Sequence, residues 1–411
     1  MTEREAEEYL LSLELFGMRF GLERMRRLMT VLGSPQERFG SIHVVGSNGK
    51  SSTVRMIAAL LRRHGLRTGE YLSPHLVSFG ERVRVDGEDL TGARFAGAIE
   101  RVRAAAEKVN RASDEPVTQF EALTAAAYAE LAAAGVDVGV IEAGLGGRWD
   151  ATNVIPSTVQ VLTNVSLEHT RWLGPTITDI ATEKLEVVRR GSTLVVGAGL
   201  EPEARWVAER VASGRGTRLI EAAESVGVPL LARGGFQERN FALACAAATA
   251  YLGRTLDAQA VTAAAAGTLV PGRFEVVSGD PDTIFDGAHN PVGARALAES
   301  LPAFVGERPL ALAISILDDK DAAEMLRALL PLCAHVVCCR CANPRALPAG
   351  TLASLASQLG FEDALVEPDP RAALARAQEL AGPAGVALAT GSLYLLADLL
   401  RPADGRAASM L

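Results

Sequence analysis

The sequence has 411 residues, more than one ordinary hydrophobic core accommodates, and it therefore predicts two domains that each bury their own interior. A formal net charge of -8 argues against the basic surface of a nucleic-acid-binding protein. No uncharged apolar run is long enough to span a membrane, and the Glu-rich residues 1–8 are not typical of a secretory signal peptide. We expect a cytoplasmic protein without nucleic-acid or membrane partners.

The first elements predicted along the chain are two short helices within residues 10–32. Apolar and charged residues alternate there at helical spacing, and Phe16 and Gly17 suggest a turn between the helices. An apolar run at 42–45 follows, which is typical of a buried strand.

Residues 46–52, with the sequence GSNGKSS, follow this strand and precede a helical run at 53–64. A strand, a Gly-rich turn and a helix in this order present backbone N–H groups and a helix N-terminus to a phosphate. Gly46 and Gly49 would let the backbone wrap the anion, and Lys50 would meet its terminal phosphates. A hydroxyl just after the lysine, that of Ser51 or Ser52, could reach a magnesium ion.

Three further predicted strands end in polar side chains. Strand 68–72 is followed by Ser73, strand 136–141 by Glu142, and strand 159–165 by a segment that contains His169. The carboxyl ends of parallel strands meet at one sheet edge, where ligands bind. The pattern therefore suggests a metal site, although each residue alone could equally be a cap, a salt-bridge partner or a surface imidazole.

The later chain also alternates strands and helices. The sequence Pro271-Gly272-Arg273 interrupts this alternation, and we place a domain boundary there, giving domains 1–271 and 272–411. The predicted fold class is α/β, with an N-terminal P-loop ATPase domain around a mostly parallel sheet and a smaller C-terminal Rossmann-like α/β domain.

Four of the five cysteines lie close together near His335: Cys333, Cys338, Cys339 and Cys341. The Cys338-x-x-Cys341 spacing is compatible with zinc, but no second ligand pair follows. The neighbouring valines instead favour a buried strand in which cysteine acts as a small apolar residue.

Several motifs in fixed order resemble the folylpolyglutamate synthase and dihydrofolate synthase family of the Mur ligase superfamily. They are GSNGKSS at 46–52, SPHL at 73–76, EAGLGGRWDATN at 142–153, EHT at 168–170, DGAHNP at 286–291 and TGSLY at 390–394. The resemblance implies ATP-dependent amide formation, in which a carboxylate is phosphorylated and the acyl phosphate is attacked by the amine of glutamate. ATP and Mg²⁺ are the implied cofactors.

The same resemblance implies roles for individual residues. The implied nucleotide contacts are Asn48, Gly49, Lys50, Ser51, Asn240, Arg273 and Asp286. The implied magnesium ligands are Ser52, Ser73, Glu142 and His169, and the implied catalytic residues are Lys50, Lys184 and His289. Lys184 aligns with a lysine that the family carbamoylates. The implied pterin-binding residues are Thr118, Gln119, Phe120, Glu121, Trp149, Asp150 and Ala151.

The sequence also departs from the family pattern. Ser51 replaces a glycine, Glu168 replaces an aspartate, the residues after Lys184 differ, and Trp149 replaces a smaller aliphatic residue. These changes leave open whether the carboxylate substrate is dihydropteroate, a folate or both. Another Mur-type amino-acid ligase, or a nucleotide-binding protein without ligase activity, remains an alternative. The expected partners are small molecules, namely a pterin carboxylate and L-glutamate, and we expect a monomer.

Overall fold

The computed structural model describes residues 1–13, 21–112 and 115–401. The predicted turn at Phe16 and Gly17 lies outside these residues. The described residues form two compact units: those up to 231 together with 238–268, and residues 232–237 together with 269–401. Among the described helices, none is both long and apolar enough to cross a lipid bilayer.

In the described residues, the first unit contains an eight-stranded sheet in the order β4-β3-β2-β5-β1-β6-β7-β8. The strands are β1 Gly40–Val45, β2 Thr68–Tyr71, β3 Val83–Val85, β4 Glu88–Asp89, β5 Val138–Glu142, β6 Val159–Leu162, β7 Thr193–Val196 and β8 Arg218–Glu221. All pairs from β2 to β8 are parallel, whereas β3 and β4 add an antiparallel hairpin at one edge.

Ten α-helices in the described residues begin before the second sheet. They are α1 Glu3–Ser12, α2 Glu23–Val31, α3 Lys50–Arg63, α4 Gly92–Arg111, α5 Gln119–Ala134, α6 Thr170–Leu173, α7 Ile177–Leu185, α8 Pro202–Arg215, α9 Gly235–Leu252 and α10 Ala258–Gly267. Short 3₁₀ helices lie at Pro35–Glu37, Phe79–Arg82 and Ala151–Val154. The first residues of α9 belong to the second unit and the rest to the first.

The sequence explains the central elements of the first unit. Strand β5 is a continuous run of buried residues, as expected for a parallel strand covered on both faces. Helix α5 begins with a capping box between Thr118 and Glu121 and ends at Gly135, whose φ of 65° suits glycine. Apolar side chains of α5 pack with those of α1, α2 and α4 in one core cluster. The same cluster includes Tyr71 of β2 and Ile141 of β5, so the helices pack against these strands.

The second unit contains, among the described residues, a six-stranded sheet in the order β13-β12-β11-β14-β10-β9. Its strands are β9 Glu275–Val277, β10 Asp282–Phe285, β11 Leu310–Ile314, β12 His335–Cys338, β13 Leu365–Val366 and β14 Val386–Thr390. Its helices are α11 Pro291–Val305, α12 Ala322–Leu329, the 3₁₀ helix Leu330–Leu332, α13 Ala349–Gln358, α14 Pro370–Ala381 and α15 Leu393–Leu400. Only β9 pairs antiparallel among these described strands. The prediction of an α/β protein with two mostly parallel sheets is confirmed.

Candidate active site

The Gly-rich loop follows the C-terminal end of β1, between neighbours β5 and β6. Gly46 has a φ of 149°, and a Cβ there would lie 1.8 Å from Oγ1 of Thr163. Gly49 has a φ of 82° and directly precedes α3. A Cβ on Gly49 would lie 2.5 Å from Oδ1 of Asn240. Glycine is therefore required at both positions, by backbone conformation and by close packing.

Residues after β6 hold the loop in shape. The backbone N–H of Asn48 donates to Oδ1 of Asn164 at 2.9 Å, and the backbone oxygen of Asn48 accepts from Thr163 Oγ1 at 2.7 Å. The backbone N–H of Ser166 donates to Ser47 Oγ at 3.0 Å. The sequence analysis missed these residues because it extended the strand to residue 165, whereas β6 ends at Leu162.

Two lysines meet at one backbone oxygen of this loop. Lys50 begins α3, and its Nζ donates to the backbone oxygens of Gly46 and Ser47, both at 3.1 Å. Lys184, on α7, donates from Nζ to the same Gly46 oxygen at 2.9 Å and to Glu168 Oε1 at 3.3 Å. Burial lowers the pKa of Lys184 to about 8, an effect that Glu168 opposes and Lys50 reinforces.

A carboxylate with two serines lies beside the loop. Glu142, at the end of β5, is 1 % exposed. It accepts from Ser51 Oγ at 3.1 Å and from the backbone N–H of Ser73 at 3.2 Å. The hydroxyl on Glu142 is thus that of Ser51, whereas the sequence analysis assigned Ser52, which is buried within α3, to the metal. Carboxylate and hydroxyl oxygens are the hard donors that Mg²⁺ prefers, so this set fits magnesium.

His169 lies on the segment that follows β6, with a positive φ of 50°, and it is exposed. Its position at the N-cap of α6 places it after a strand adjacent to β1. Among the described residues, no three His, Cys, Asp or Glu side chains come together as metal ligands. The predicted metal role of His169 beside Glu142 therefore stays a prediction.

Four of the predicted pterin-binding side chains already have protein partners. Thr118 and Glu121 cap α5, and Glu121 also pairs with Arg24 at 3.2 Å. Gln119 donates to the backbone oxygen of Leu10 at 2.8 Å. Asp150 accepts from the backbone N–H groups of Leu145, at 2.7 Å, and of Thr152, at 3.0 Å. In the free protein these four side chains therefore stabilise the start of α5 and the loop that contains Asp150.

Phe120 and Trp149 present aromatic surface instead. Phe120 is half-buried, and its ring lies 6.2 Å from that of Tyr71. A Cβ on Gly144 would lie 2.5 Å from the Phe120 ring, so the backbone of the Gly-rich segment lies against this side chain. Trp149 is 39 % exposed, whereas Ala151 is buried. Aromatic rings that are partly exposed are suited to stacking on a planar heterocycle.

A buried polar chain behind this segment was also missed. His43 on β1 is fully buried, and its Nε2 lies 2.8 Å from Thr152 Oγ1, which donates in turn to Asp150. Because the threonine proton goes to Asp150, His43 must donate from Nε2. Burial, with the charge of Arg189, lowers the pKa of His43 to about 3, which keeps the ring neutral.

In the second unit, Arg273, Asp286 and His289 lie together near the C-terminal end of β10. Asp286 is 3 % exposed and accepts from the backbone N–H groups of Phe274 and Ala288, both at 2.8 Å. Burial raises the pKa of Asp286, which Arg273 opposes. His289 Nδ1 lies 2.9 Å from the backbone oxygen of Gly287. Asp286 therefore builds the turn that carries the other two residues.

The cysteine cluster follows the apolar alternative rather than the zinc one. Cys338 ends β12 with no exposed surface, and Cys339 and Cys341 are buried just after it. All described cysteines are free thiols. Burial raises the pKa of Cys338 to about 12, which opposes the thiolate form that zinc requires.

Comparisons with known proteins agree with this geometry. The family model "Mur ligase, glutamate ligase domain" matches residues 272–393. The dihydrofolate synthase/folylpolyglutamate synthase of Mycobacterium tuberculosis is 36% identical over 377 residues, covering 82% of this chain and 77% of that protein. The chain belongs to the folylpolyglutamate synthase/dihydrofolate synthase family.

Another relative is longer than this chain. A probable bifunctional folylpolyglutamate synthase/dihydropteroate synthase of Haloferax volcanii is 36% identical over 97% of this chain, but the chain spans 50% of that protein. A solved structure of Mycobacterium tuberculosis folylpolyglutamate synthase complexed with ADP superposes with a TM-score of 0.90 at 32% identity, covering 97% of both chains. The predicted family and its two-domain α/β fold are confirmed.

The depressed pKa of Lys184 predicts a pH-dependent stability. Between about pH 8 and 10.5 the lysine is neutral in the folded protein but protonated in the unfolded chain. The unfolded state then binds more protons, so this residue makes stability rise with pH across that window. We expect Lys184→Met to lack this rise, which amounts to on the order of 3 kcal/mol over the full window.

Urea unfolding of both proteins at several pH values, in buffer depleted of CO₂, measures the difference. Loss of the Glu168 partner affects stability mainly where carboxylates titrate, well below this window. A wild-type minus variant difference that stays constant from pH 8 to 10.5 would contradict the assignment.

Proposed function

We propose that the protein is an ATP-dependent ligase that joins L-glutamate to the carboxylate of a pterin-containing acid, dihydropteroate or a folate, through an acyl phosphate. The observation that carries the proposal is the preformed phosphate loop, on which Lys50 and Lys184 both donate to Gly46, with Ser51 and Glu142 beside it. The names of the relatives and the ADP bound to the Mycobacterium tuberculosis enzyme support it.

The chemistry needs two steps. In the first, an oxygen of the pterin carboxylate attacks the γ-phosphorus of ATP, and the bond to the bridging oxygen of ADP breaks. In the second, the neutral amine of glutamate attacks the carbonyl carbon of the acyl phosphate, inorganic phosphate leaves, and the nitrogen loses a proton. Both steps bring anions together, and fixed cations lower that barrier.

The loop residues have separate tasks in this scheme. Lys50 reaches the transferring phosphoryl group once its ammonium turns from the loop carbonyls to the substrate. Glu142 and Ser51 would hold magnesium, which neutralises phosphate charge when bound. Asn240 packs on Gly49 and would border the nucleotide. Arg273, Asp286 and His289 remain predicted nucleotide and catalytic contacts of the second unit.

Carbamoylation of Lys184 is a further prediction. A pKa of about 8 leaves part of the amine neutral at physiological pH. A neutral amine can attack CO₂ to form an N–C bond and release a proton, which would give the carbamate implied by the sequence resemblance. The carbamate would exchange the cation for an anion able to ligate a second magnesium ion.

Lys50→Ala tests the proposed function. We expect the variant to fold, because the lysine contacts loop carbonyls rather than the core. It should lose at least about a hundredfold in ADP release with ATP, glutamate and the pterin acid all present. Lys108→Ala, which changes an exposed lysine on α4, is the matched control and should turn over like wild type.

A panel of dihydropteroate, tetrahydrofolate and a muramyl precursor separates the proposed function from the alternatives. ADP release only with the muramyl compound would favour another amino-acid ligase. No ADP release with any of the three acceptors would favour a nucleotide-binding protein without ligase activity. Wild-type turnover by Lys50→Ala would overturn the role of the lysine.

Ser51→Ala and Ser52→Ala distinguish the two hydroxyls. Because Ser51 contacts Glu142, we expect its removal to raise the Mg²⁺ concentration for half-maximal activity by about tenfold, the effect of one lost polar contact. Ser52→Ala should change this concentration little. Magnesium titrations of ADP release compare the two, and the reverse order would restore Ser52 as the metal ligand.

Phe120→Ala tests the pterin pocket. We expect the KM for the pterin acid to rise by about tenfold, because stacking on one aromatic ring is lost. The ring is half-buried against the core, so the free energy of unfolding should fall by about 2 kcal/mol, less than for a fully buried phenylalanine. Phe361→Ala, a partly buried ring in the second unit, is the control. An unchanged KM in Phe120→Ala would leave only a packing role.

A further inference from the structure

A cavity of about 750 Å³ opens in the first unit, at the N-terminal ends of the central strands, whereas the phosphate loop lies at their C-terminal ends. Its walls come from the segments that precede β1, β6 and β7, and they include Gln36, Ser157 and Ser192. The phosphate loop follows the other end of β1, which has six residues. A strand of this length separates the two regions by about 20 Å. None of the predicted site residues lines this cavity.

Three arginines line the cavity: Arg26, Arg189 and Arg190. Arg189 Nη2 donates to the backbone oxygen of Asn153 at 2.8 Å and to its Oδ1 at 2.7 Å, which are neutral acceptors. Within the part of the chain that the structure describes, none of the three arginines forms an ion pair with a carboxylate. The one carboxylate on the cavity wall is Glu37, which is exposed. The cavity wall therefore carries a positive excess.

The surroundings of Arg189 point the same way. Burial lowers its pKa, and the charges of Arg215 and Arg26 lower it further. Arg215, which does not line the cavity, pairs with Glu186 at 2.8 Å. Three arginines against one exposed carboxylate leave an excess of positive charge on the wall, which favours the binding of an anion.

An unpaired amide adds a polar contact to this wall. Gln36 is 6 % exposed, and its Oε1 is buried without a hydrogen-bond partner among the described residues. A buried amide oxygen without a partner is unfavourable, because the hydrogen bond that it makes with water in the unfolded chain is lost. A bound molecule with its own hydroxyl or water shell would supply the missing bond, and a rotated amide would donate directly to an anion.

We infer that this cavity binds a small, multiply ionised oxyanion, a tricarboxylate or a diphosphate, between the guanidinium groups of Arg26 and Arg190, with Arg189 and Gln36 on the inner wall. The volume lies within the range of sites for small ligands. Guanidinium is planar and binds carboxylate and phosphate oxygens in pairs, so both chemistries suit the same wall. The inference does not depend on the ligase reaction.

Isothermal titration of the full chain with citrate and, separately, with inorganic pyrophosphate tests this site. Pyrophosphate is titrated into the Lys50→Ala variant, so that the phosphate loop contributes less. We expect one saturable site whose affinity falls about a hundredfold in Arg26→Gln/Arg190→Gln, or about tenfold for each lost charge-assisted contact. Arg254→Gln, which removes an exposed arginine elsewhere in the unit, should leave the affinity unchanged.

Gln36→Leu provides a second variant that should fold, because it removes a buried polar group without a partner. It should weaken binding less than the double arginine variant. The site is supported if either anion binds and its binding is lost in the double variant. The anion that binds, citrate or pyrophosphate, then shows whether the site takes carboxylates, phosphates or both. The inference is overturned if neither anion binds saturably, if the double variant binds like wild type, or if citrate binding disappears in Lys50→Ala.

Discussion

Two ammonium groups share the backbone oxygen of Gly46, and the candidate active site depends on this arrangement. Lys50 and Lys184 each donate to that oxygen, so their charges lie no more than about 6 Å apart. At an effective dielectric constant of about 20 their repulsion is roughly 3 kcal/mol. Glu168 and the loop carbonyls offset it in the free protein. An arriving phosphate offsets it more completely, so the site is built to gain stability when an anion binds.

The sheet makes this arrangement possible because β1 lies between two parallel neighbours. Strand β6 continues into Thr163 and Asn164, which fix the loop through Asn48, and β5 continues into Glu142. The residues of the site thus extend from strands whose own positions are set by buried backbone pairing. Few side chains need to reorganise to receive a phosphate, which is the electrostatic preorganisation that catalysis of phosphoryl transfer requires.

Sequence reasoning predicted the Gly-rich loop and the strands around it, although not the end of β6, because these depend on local patterns: apolar runs, glycines and the polar residue after a strand. Contacts that depend on how the elements pack could not be read from these patterns, and the metal role of Ser52 stays a prediction. The register that brings Ser51 rather than Ser52 to Glu142 depends on where α3 begins, and Lys50 is already helical. The sequence likewise offered Gln119 and Asp150 as substrate contacts. In the structure Gln119 donates to the distant backbone oxygen of Leu10, and Asp150 accepts from the nearby backbone N–H of Leu145.

Positively charged side chains lie near both ends of β1: lysines at its C-terminal end and arginines at its N-terminal end. At the C-terminal end, the lysines donate to carbonyls that a phosphate can replace. At the N-terminal end, Arg189 keeps the Asn153 backbone in place, while His43 between the two ends stays neutral because it is buried and near that charge. A protonated His43 would place a buried cation in the interior of the sheet, which is unfavourable. Because its imidazole is neutral, His43 adds no charge to the buried middle of β1, and the positive charge stays near the two ends of the strand.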